Sequence, residues 1–444
     1  MTGFSRLPAV PLLFAALLCV LAVALPFLFG YTDSPISNFW PLLTSWVCGA
    51  VLLAVGGWAA WGRGSMYAQA TEAERWGRLL AGGLMLAAVV ASAIGLVQYG
   101  VGDVGLGPWI QASQPGQAAG NLRQRNQQAT LLALGAWALL WWSLHFQVQA
   151  QFFLRPGSGG LAAGRRQPGA AAKVLVFLAL IAVAVAGSAT ASRTGAVQWL
   201  LMVGLLVVWR RTGAGPALRL ALLGAGVFFV AAWVLPELLW RLQGVRADAL
   251  FHRFTDGSQA CTSRLALWSN MLTLIAQKPW LGWGWGELDY AHYVTLFPGD
   301  RFCVLLDNAH NLPLHLAVEL GLPAAALLCG AFGLWVLLSR PWHEVRPERQ
   351  LAWGVLALIG LHSMLEYPLW YGPFQIVALF ALVLLLWPQE PRRNNSVALV
   401  LGAGAVLVCG VCSLAAWDYF RVSQLYKANT DRAAAYRDDA QSKV

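Results

Sequence analysis

The feature that most limits what this chain can fold into is a succession of apolar runs. Each is about 17–25 residues long with little charge, the length an α-helix needs to cross a bilayer core. Eleven candidate spans lie near residues 8–30, 41–62, 79–98, 129–149, 171–189, 194–210, 218–236, 320–338, 351–367, 371–388 and 396–416. Length alone, 444 residues, would suggest two or three soluble domains. Composition overrules that, because 58% of residues are hydrophobic and only 11% are charged, against roughly 25% in soluble chains. The expected class is an all-α polytopic membrane protein of about eleven helices. Ten to twelve are possible; the weakest assignments are the pair around Ser192-Arg193 and the pair split at Pro368, either of which can be a single broken helix. The first run holds several prolines and has no convincing small-residue cleavage site before Tyr31, so it reads as a retained helix rather than a signal peptide.

Basic residues set the orientation. Arg63, Arg75 and Arg78 share one loop, and Arg155, Arg165, Arg166 and Lys173 share another. Further groups are Arg210, Arg211 and Arg219, then Arg340, Arg346 and Arg349, then Arg392 and Arg393. Eleven spans put all five groups on one side with Arg6, which is then cytoplasmic. The net charge of +10 is thus distributed over inter-helix loops, which excludes a nucleic-acid surface. The 23 tryptophans often fall near span ends, as interfacial anchors do.

Four regions follow from this layout: an N-terminal bundle (1–236), a large outer loop with amphipathic helices (237–319), C-terminal spans (320–416) and a short outer tail (417–444). The other long outer loop covers 99–128. Loops longer than a connection requires tend to bind or catalyse, so function is expected on the outer face. Cys261 and Cys303 share the large loop and can pair in an oxidising compartment; two buried thiols are the alternative. Cys19, Cys48, Cys329, Cys409 and Cys412 lie in spans as small apolar fillers. No Cys/His pattern suggests zinc, and neither a metal nor a cofactor is expected.

Polar residues concentrate at outer span ends. Arg193, in SATASRTGAVQW, stands between two apolar runs, where an arginine either pairs, lines a wet cavity or snorkels to headgroups. GNLRQRNQQAT supplies Arg123 and Arg125 with Asn126 before the fourth span; the two arginines read as outer cations, or the whole stretch as a polar helix start. In SRLALWSNMLTLIAQKPWLGWGWG, Arg264, Leu267, Trp268, Met271, Leu274 and Ile275 keep helical period, with Thr262 or Ser263 as cap and Pro279 as stop. Arg264 at the N-terminal end of this helix is poorly placed for the helix dipole; it suits a ligand or an ion pair with Asp256 or Asp307. DNAHNLPLHLAVELG predicts a helix starting near Ala309, capped by Asp307 or Asn308 and tolerating Pro313. His310 then sits in the first turn, as a base or as a structural histidine, with Asn311 beside it, and His315 reads as packing. In HSMLEYPLWY, His362 and Glu366 are i,i+4 neighbours that either orient a nucleophile or satisfy each other.

Together these segments resemble the O-antigen ligase and bacterial O-oligosaccharyltransferase superfamily, most closely the PglL-type branch that glycosylates pilin. WDYFRVSQLY from Trp417 adds to the likeness, which covers most of the chain from Gly120 onward. The resemblance implies a GT-C-like membrane fold with a periplasmic active site in the bacterial inner membrane. It implies transfer of a glycan from undecaprenyl diphosphate to a Ser or Thr hydroxyl of an exported protein such as pilin, without a metal. Ligation to lipid A-core, polymerisation of O-antigen, and transport or flipping of lipid-linked glycan are the competing functions. The family's essential loop histidine falls on His310, and its diphosphate-binding arginines fall on Arg193 and Arg264. Arg123, Arg125 and Asn311 are further substrate-binding candidates, with Asp307, His362, Glu366 and Tyr367 in support. Attack by a hydroxyl activated by His310 from the face opposite the diphosphate would invert the anomeric centre. PglL-type enzymes continue into a longer soluble C-terminal region, whereas this sequence stops at Val444.

Overall fold

A computed structural model describes residues 9–61, 69–107, 109–153, 170–250, 263–386, 395–438 and 441. Among them the chain is all-helical. The helices are α1 (Ala9–Leu28), α2 (Phe39–Ala60), α3 (Gln69–Val101), α4 (Arg125–Phe153), α5 (Ala170–Ala189), α6 (Arg193–Val208) and α7 (Gly215–Gln243). They continue as α8 (Arg264–Gln277), α9 (Leu288–Val294), α10 (Leu312–Ser339), α11 (Pro347–Ser363), α12 (Gly372–Leu386) and α13 (Asn395–Ser423). Six described helical stretches are long and apolar enough to cross a membrane: Phe39–Ala60, Glu72–Val101, Ala170–Ala189, Gly215–Gln243, Leu312–His343 and Ser396–Tyr426. Leu12–Leu28 and Gly372–Leu386 are apolar but shorter. The chain is a multi-pass membrane protein.

α4 is the hub, packed against α3, α5, α6, α7 and α11. Lipid tails are as apolar as leucine, so helices in a bilayer associate through close packing of small residues rather than by escape from water. The seam between α3 and α4 shows this: Gly135 and Ala136 meet a row containing Ala87 and Ala88, all buried, and a Cβ on Gly135 would strike Ala88. Three buried indoles tie neighbouring segments together, each donating its N–H to a backbone carbonyl of another element. Trp137 Nε1 reaches Leu351 O at 3.1 Å, Trp141 Nε1 reaches Pro347 O at 2.6 Å and Trp209 Nε1 reaches Pro341 O at 2.8 Å. At the periphery, α13 packs on α2, and only 17% of its apolar window is covered by protein.

α10 is two helices joined at a break. Gly321 holds φ +84° and ψ 167°, and Pro323 follows. The backbone groups released there are taken up by the Lys278–Trp285 segment. Trp283 N donates to Val318 O (2.8 Å), Gly284 N to Glu319 O (3.0 Å), and Leu322 N to Pro279 O (2.7 Å). Gly282, at φ +68°, lies so close that a Cβ would overlap the Glu319 carbonyl. Below the break the helix faces outward, with Leu327, Phe332 and Leu337 exposed.

Several expected boundaries move. The helix expected from Ala309 starts at Leu312 and is capped by Asn311, whose Oδ1 accepts from Leu314 N at 3.1 Å. Pro313 is the reason: in the first turn its missing N–H costs nothing. His310 therefore lies outside the helix, in the left-handed region at φ +49°. The span expected to reach 367 ends at Ser363, leaving Glu366 in the turn before Pro368. The regional boundary at 236/237 falls inside α7, that at 319/320 falls at the break in α10, and that at 416/417 falls inside α13. Both expected interruptions, at Ser192-Arg193 and at Pro368, separate helices.

Candidate active site

The site is built where α4, α6, α8, α10 and α11 bring their polar ends together. Three of these ends are fixed by side-chain caps. Ser192 Oγ accepts from Gly195 N (3.2 Å) and starts α6; Ser263 Oγ accepts from Ala266 N (3.1 Å) and starts α8; Asn311 starts α10. These caps satisfy orphan amides and direct the flanking side chains.

At the centre is the carboxylate of Glu366, 4% exposed. Oε2 lies 2.7 Å from His310 Nδ1. Oε1 accepts from the Arg264 guanidinium and, at 3.0 Å, from Asn126 Nδ2. Asn126 Oδ1 in turn accepts from Ser192 Oγ at 2.7 Å. Burial works against a charged Glu366, but the hydrogen bond and charge of His310 and the charge of Arg264 outweigh it and hold the carboxyl below its usual range. An ionised carboxylate can only accept. When the imidazole is neutral, the proton facing this carboxylate is on Nδ1 and Nε2 is the ring nitrogen with a lone pair. The Tyr367 ring packs edge-on against His310 with centroids 5.0 Å apart, and burial pushes its phenol up.

The expected residues divide clearly. His310, Arg264, Glu366 and Tyr367 come together. Asn311 reaches the same turn, donating to Met364 O at 3.1 Å. Asp307 acts within its loop, accepting from Asn308 Nδ2 at 2.8 Å; the ion pair of Arg264 is with Glu366 and not with Asp307. His362 and Glu366 do not satisfy each other. His362 Nδ1 lies 2.8 Å from Thr130 Oγ1, which bonds Gln198 Nε2 at 2.9 Å. The i,i+4 pairing fails because α11 ends between the two residues. Arg193 is exposed at the start of α6, next to Ser192 in the chain. Arg125 pairs with Asp248, and Arg123 bonds Ser37 O (3.2 Å) and Asn38 Oδ1. Cys303 is disulfide-bonded, while Cys261, its expected partner, lies outside the described residues, as do Asp256 and Thr262. Asn126 was noted only beside Arg123 and Arg125 before the fourth span, and Ser192, Thr130 and Gln198 were not singled out as site residues; neutral polar side chains near helix starts look like ordinary caps, and only their contacts across helices reveal them.

Comparison with known proteins divides the chain into three stretches. Residues 174–329 match the family model described as O-antigen ligase. Residues 118–142 match protein glycosylation ligase, and residues 350–444 match the C-terminal part of the virulence factor membrane-bound polymerase. Each stretch contributes to the same node: Asn126 from one, Arg264 and His310 from another, Glu366 from the third. Over these stretches the chain is similar to the O-antigen ligase and PglL-type O-oligosaccharyltransferase superfamily. Members of this superfamily are membrane glycosyltransferase-type enzymes. A general O-oligosaccharyltransferase of Acinetobacter baylyi is 27% identical over 239 residues, 47% of this chain and 41% of that protein. A ComP-specific O-oligosaccharyltransferase of the same organism is 27% identical over 157 residues, 34% of this chain and 27% of that protein. The matches thus span less than half the length of these superfamily relatives.

Proposed function

We propose that this protein transfers a glycan from undecaprenyl diphosphate to a Ser or Thr hydroxyl of an exported protein, at the periplasmic face of the inner membrane. The observation that carries this is the His310–Glu366–Arg264 cluster. A hydroxyl is a poor nucleophile and needs a base within about 3 Å as it attacks. Nε2 of His310 is that base, with its tautomer and ring plane fixed by Glu366 through Nδ1, the logic of a carboxylate-oriented imidazole. The imidazolium that forms is stabilised by the same carboxylate.

As the bond from the anomeric carbon to the diphosphate breaks, negative charge builds on the leaving group. Arginine suits this task because its donors form a rigid fork and it stays protonated. Arg264 carries out the role beside the base, and Arg193 adds a second guanidinium at the start of α6. Glu366 serves both partners, so base and anion site hold a fixed relation. Direct attack on the side opposite the diphosphate inverts the anomeric configuration.

The match of the C-terminal stretch to a membrane-bound polymerase favours a second reading, extension of another lipid-linked glycan. Incubating purified protein with undecaprenyl-diphosphate-linked glycan and either pilin or lipid A-core separates the functions. Labelled pilin is the expected product. Labelled core would replace this reading with the ligase, longer lipid-linked chains with the polymerase, and donor movement without transfer with a flippase.

A further inference from the structure

The turn after α8 sends its large side chains two ways. Trp283 faces inward: it packs against the cluster of Leu267, Met271 and Leu274, and its Nε1 donates to Leu274 O at 3.0 Å. Trp280, Leu281 and Trp285 face away from the protein, at 75%, 86% and 69% exposed. Three large apolar side chains bared by one short turn mark a surface that meets a partner. The glycan-transfer reading gives them no task.

α10 is the ruler that identifies the partner. From Leu322 to Ser339 it carries no charged residue. That length is about 27 Å at 1.5 Å per residue, against a hydrocarbon core of ~30 Å. Arg340, Arg346 and Arg349 mark its inner end. Gly321 therefore stands at the outer boundary of the hydrocarbon, with Glu319 and His315 above it. The turn is locked at this level. Leu322 N donates to Pro279 O at 2.7 Å, and a Cβ on Gly321 would overlap the Trp280 carbonyl. Leu322 is itself 49% exposed, so the apolar surface continues from the span onto the turn.

We infer that the Lys278–Trp285 turn is an anchor whose partner is the outer leaflet of the bilayer. Trp280 and Leu281 are seated among the glycerol groups and first acyl carbons, and Trp285, two residues before the exposed Glu287, lies at the headgroup rim. Indoles favour this depth, where one edge is apolar and the other wet. Irregular backbone is excluded from lipid unless its polar groups are bonded, and here they are. Gly282 N donates to Lys278 O at 3.2 Å, and the amides of Trp283 and Gly284 are bonded to carbonyls of α10. Lys278 Nζ rests 4.1 Å from the centre of the Trp283 ring, a cation on a long stem of the kind that reaches headgroup phosphates from an apolar footing. The anchor holds α8 and α9 at a set level on the bilayer and requires no catalytic activity.

The experiment reconstitutes the full chain into vesicles of phosphatidylethanolamine and phosphatidylglycerol, with the photoreactive residue p-benzoylphenylalanine at Trp280 or Leu281. Each replacement exchanges one large exposed side chain for another, so the core is untouched; a thermal midpoint equal to that of wild type verifies this. The same probe at Leu327, deeper on the bare face of α10, is the reference. After irradiation, mass spectrometry counts lipid adducts and maps the carbon attacked. The probes at Trp280 and Leu281 should give adducts within about ten-fold of the Leu327 yield, attached nearer the glycerol than those from Leu327. Yields scarcer than that at both residues overturn the anchor. Attachment as deep in the acyl chain as from Leu327 overturns the assigned level. Adducts that pass from lipid to pilin when pilin is added also overturn it, and make the turn a dock for an acceptor protein. No glycan enters the measurement. A chain that transfers nothing but gives the expected adducts keeps the anchor and loses the enzyme reading; an active enzyme without them does the reverse.

Discussion

Two histidine–carboxylate pairs lie near one end of α10, and they differ in what else each carboxylate touches. His310 and Glu366 are 56 residues apart, 2.7 Å in space, and Glu366 also binds Arg264 and Asn126 from two further elements. His315 and Glu319 are one turn apart on α10, 3.3 Å between Nε2 and Oε2, both nearly inaccessible, with His315 edge-on to Trp370. The residue types and the burial are alike. The first pair is a junction of helices that leaves one imidazole nitrogen for a reactant. The second lies within one helix, and its remaining imidazole nitrogen, Nδ1, is buried with no hydrogen-bond partner among the described residues. Buried polar groups in a membrane protein invite a functional reading; the contrast teaches that the reading belongs to a carboxylate shared between elements, not to a local pair.

Breaking the first pair should have the largest effect. His310→Ala should lower transfer by at least ~10²–10⁴-fold, with membrane insertion and donor binding retained, as measured by single-turnover labelling of acceptor. An active, normally inserted variant would remove the contrast altogether. Glu366→Gln should come next, roughly 10²-fold in kcat, because the amide no longer fixes the tautomer or compensates the imidazolium. Arg264→Ala should act through the donor, raising its KM and lowering kcat/KM about ten-fold or more while acceptor KM stays constant; unchanged donor kinetics would detach Arg264 from the leaving group.

The second pair should answer only in stability. Glu319→Ala leaves a buried histidine nitrogen without its partner, which costs roughly 1–3 kcal/mol, seen as a lower thermal midpoint with turnover of the folded fraction unchanged. The smallest effect concerns pH. Because the folded-state value for Glu366 lies below its ordinary 4.5, its ionised form stabilises the fold fully above about that pH. That contribution disappears as pH falls through the lower folded value. The stability gap between wild type and Glu366→Gln should therefore stay constant from pH 7 down to near pH 5 and narrow only below.

Hydropathy made most of the helices legible, since each of the eleven marked runs overlaps a helix. Helix ends were less legible, because proline acts differently by position: Pro313 sits within a first turn, whereas Pro368 keeps the chain before it from continuing as helix. His310, Arg264 and Glu366 were readable as candidates from residue type alone. Their meeting was not, because Arg264 and Glu366 are 102 residues apart and a local rule assigned Glu366 to His362. The share of Asn126 and Ser192 was hidden for a related reason: a neutral amide or hydroxyl at a helix start already has a sufficient local job.

The glycines threaded through the break in α10 have a mechanical consequence. The length of α10 beyond Gly321 is almost bare of protein contacts, with Leu327, Phe332 and Leu337 exposed. Three backbone hydrogen bonds clamp the segment after α8 onto that joint, and the guanidinium that grips Glu366 is the first residue of α8. The joint thus ties the lipid-facing length of α10, through the segment that follows α8, to the helix that carries Arg264 at its start.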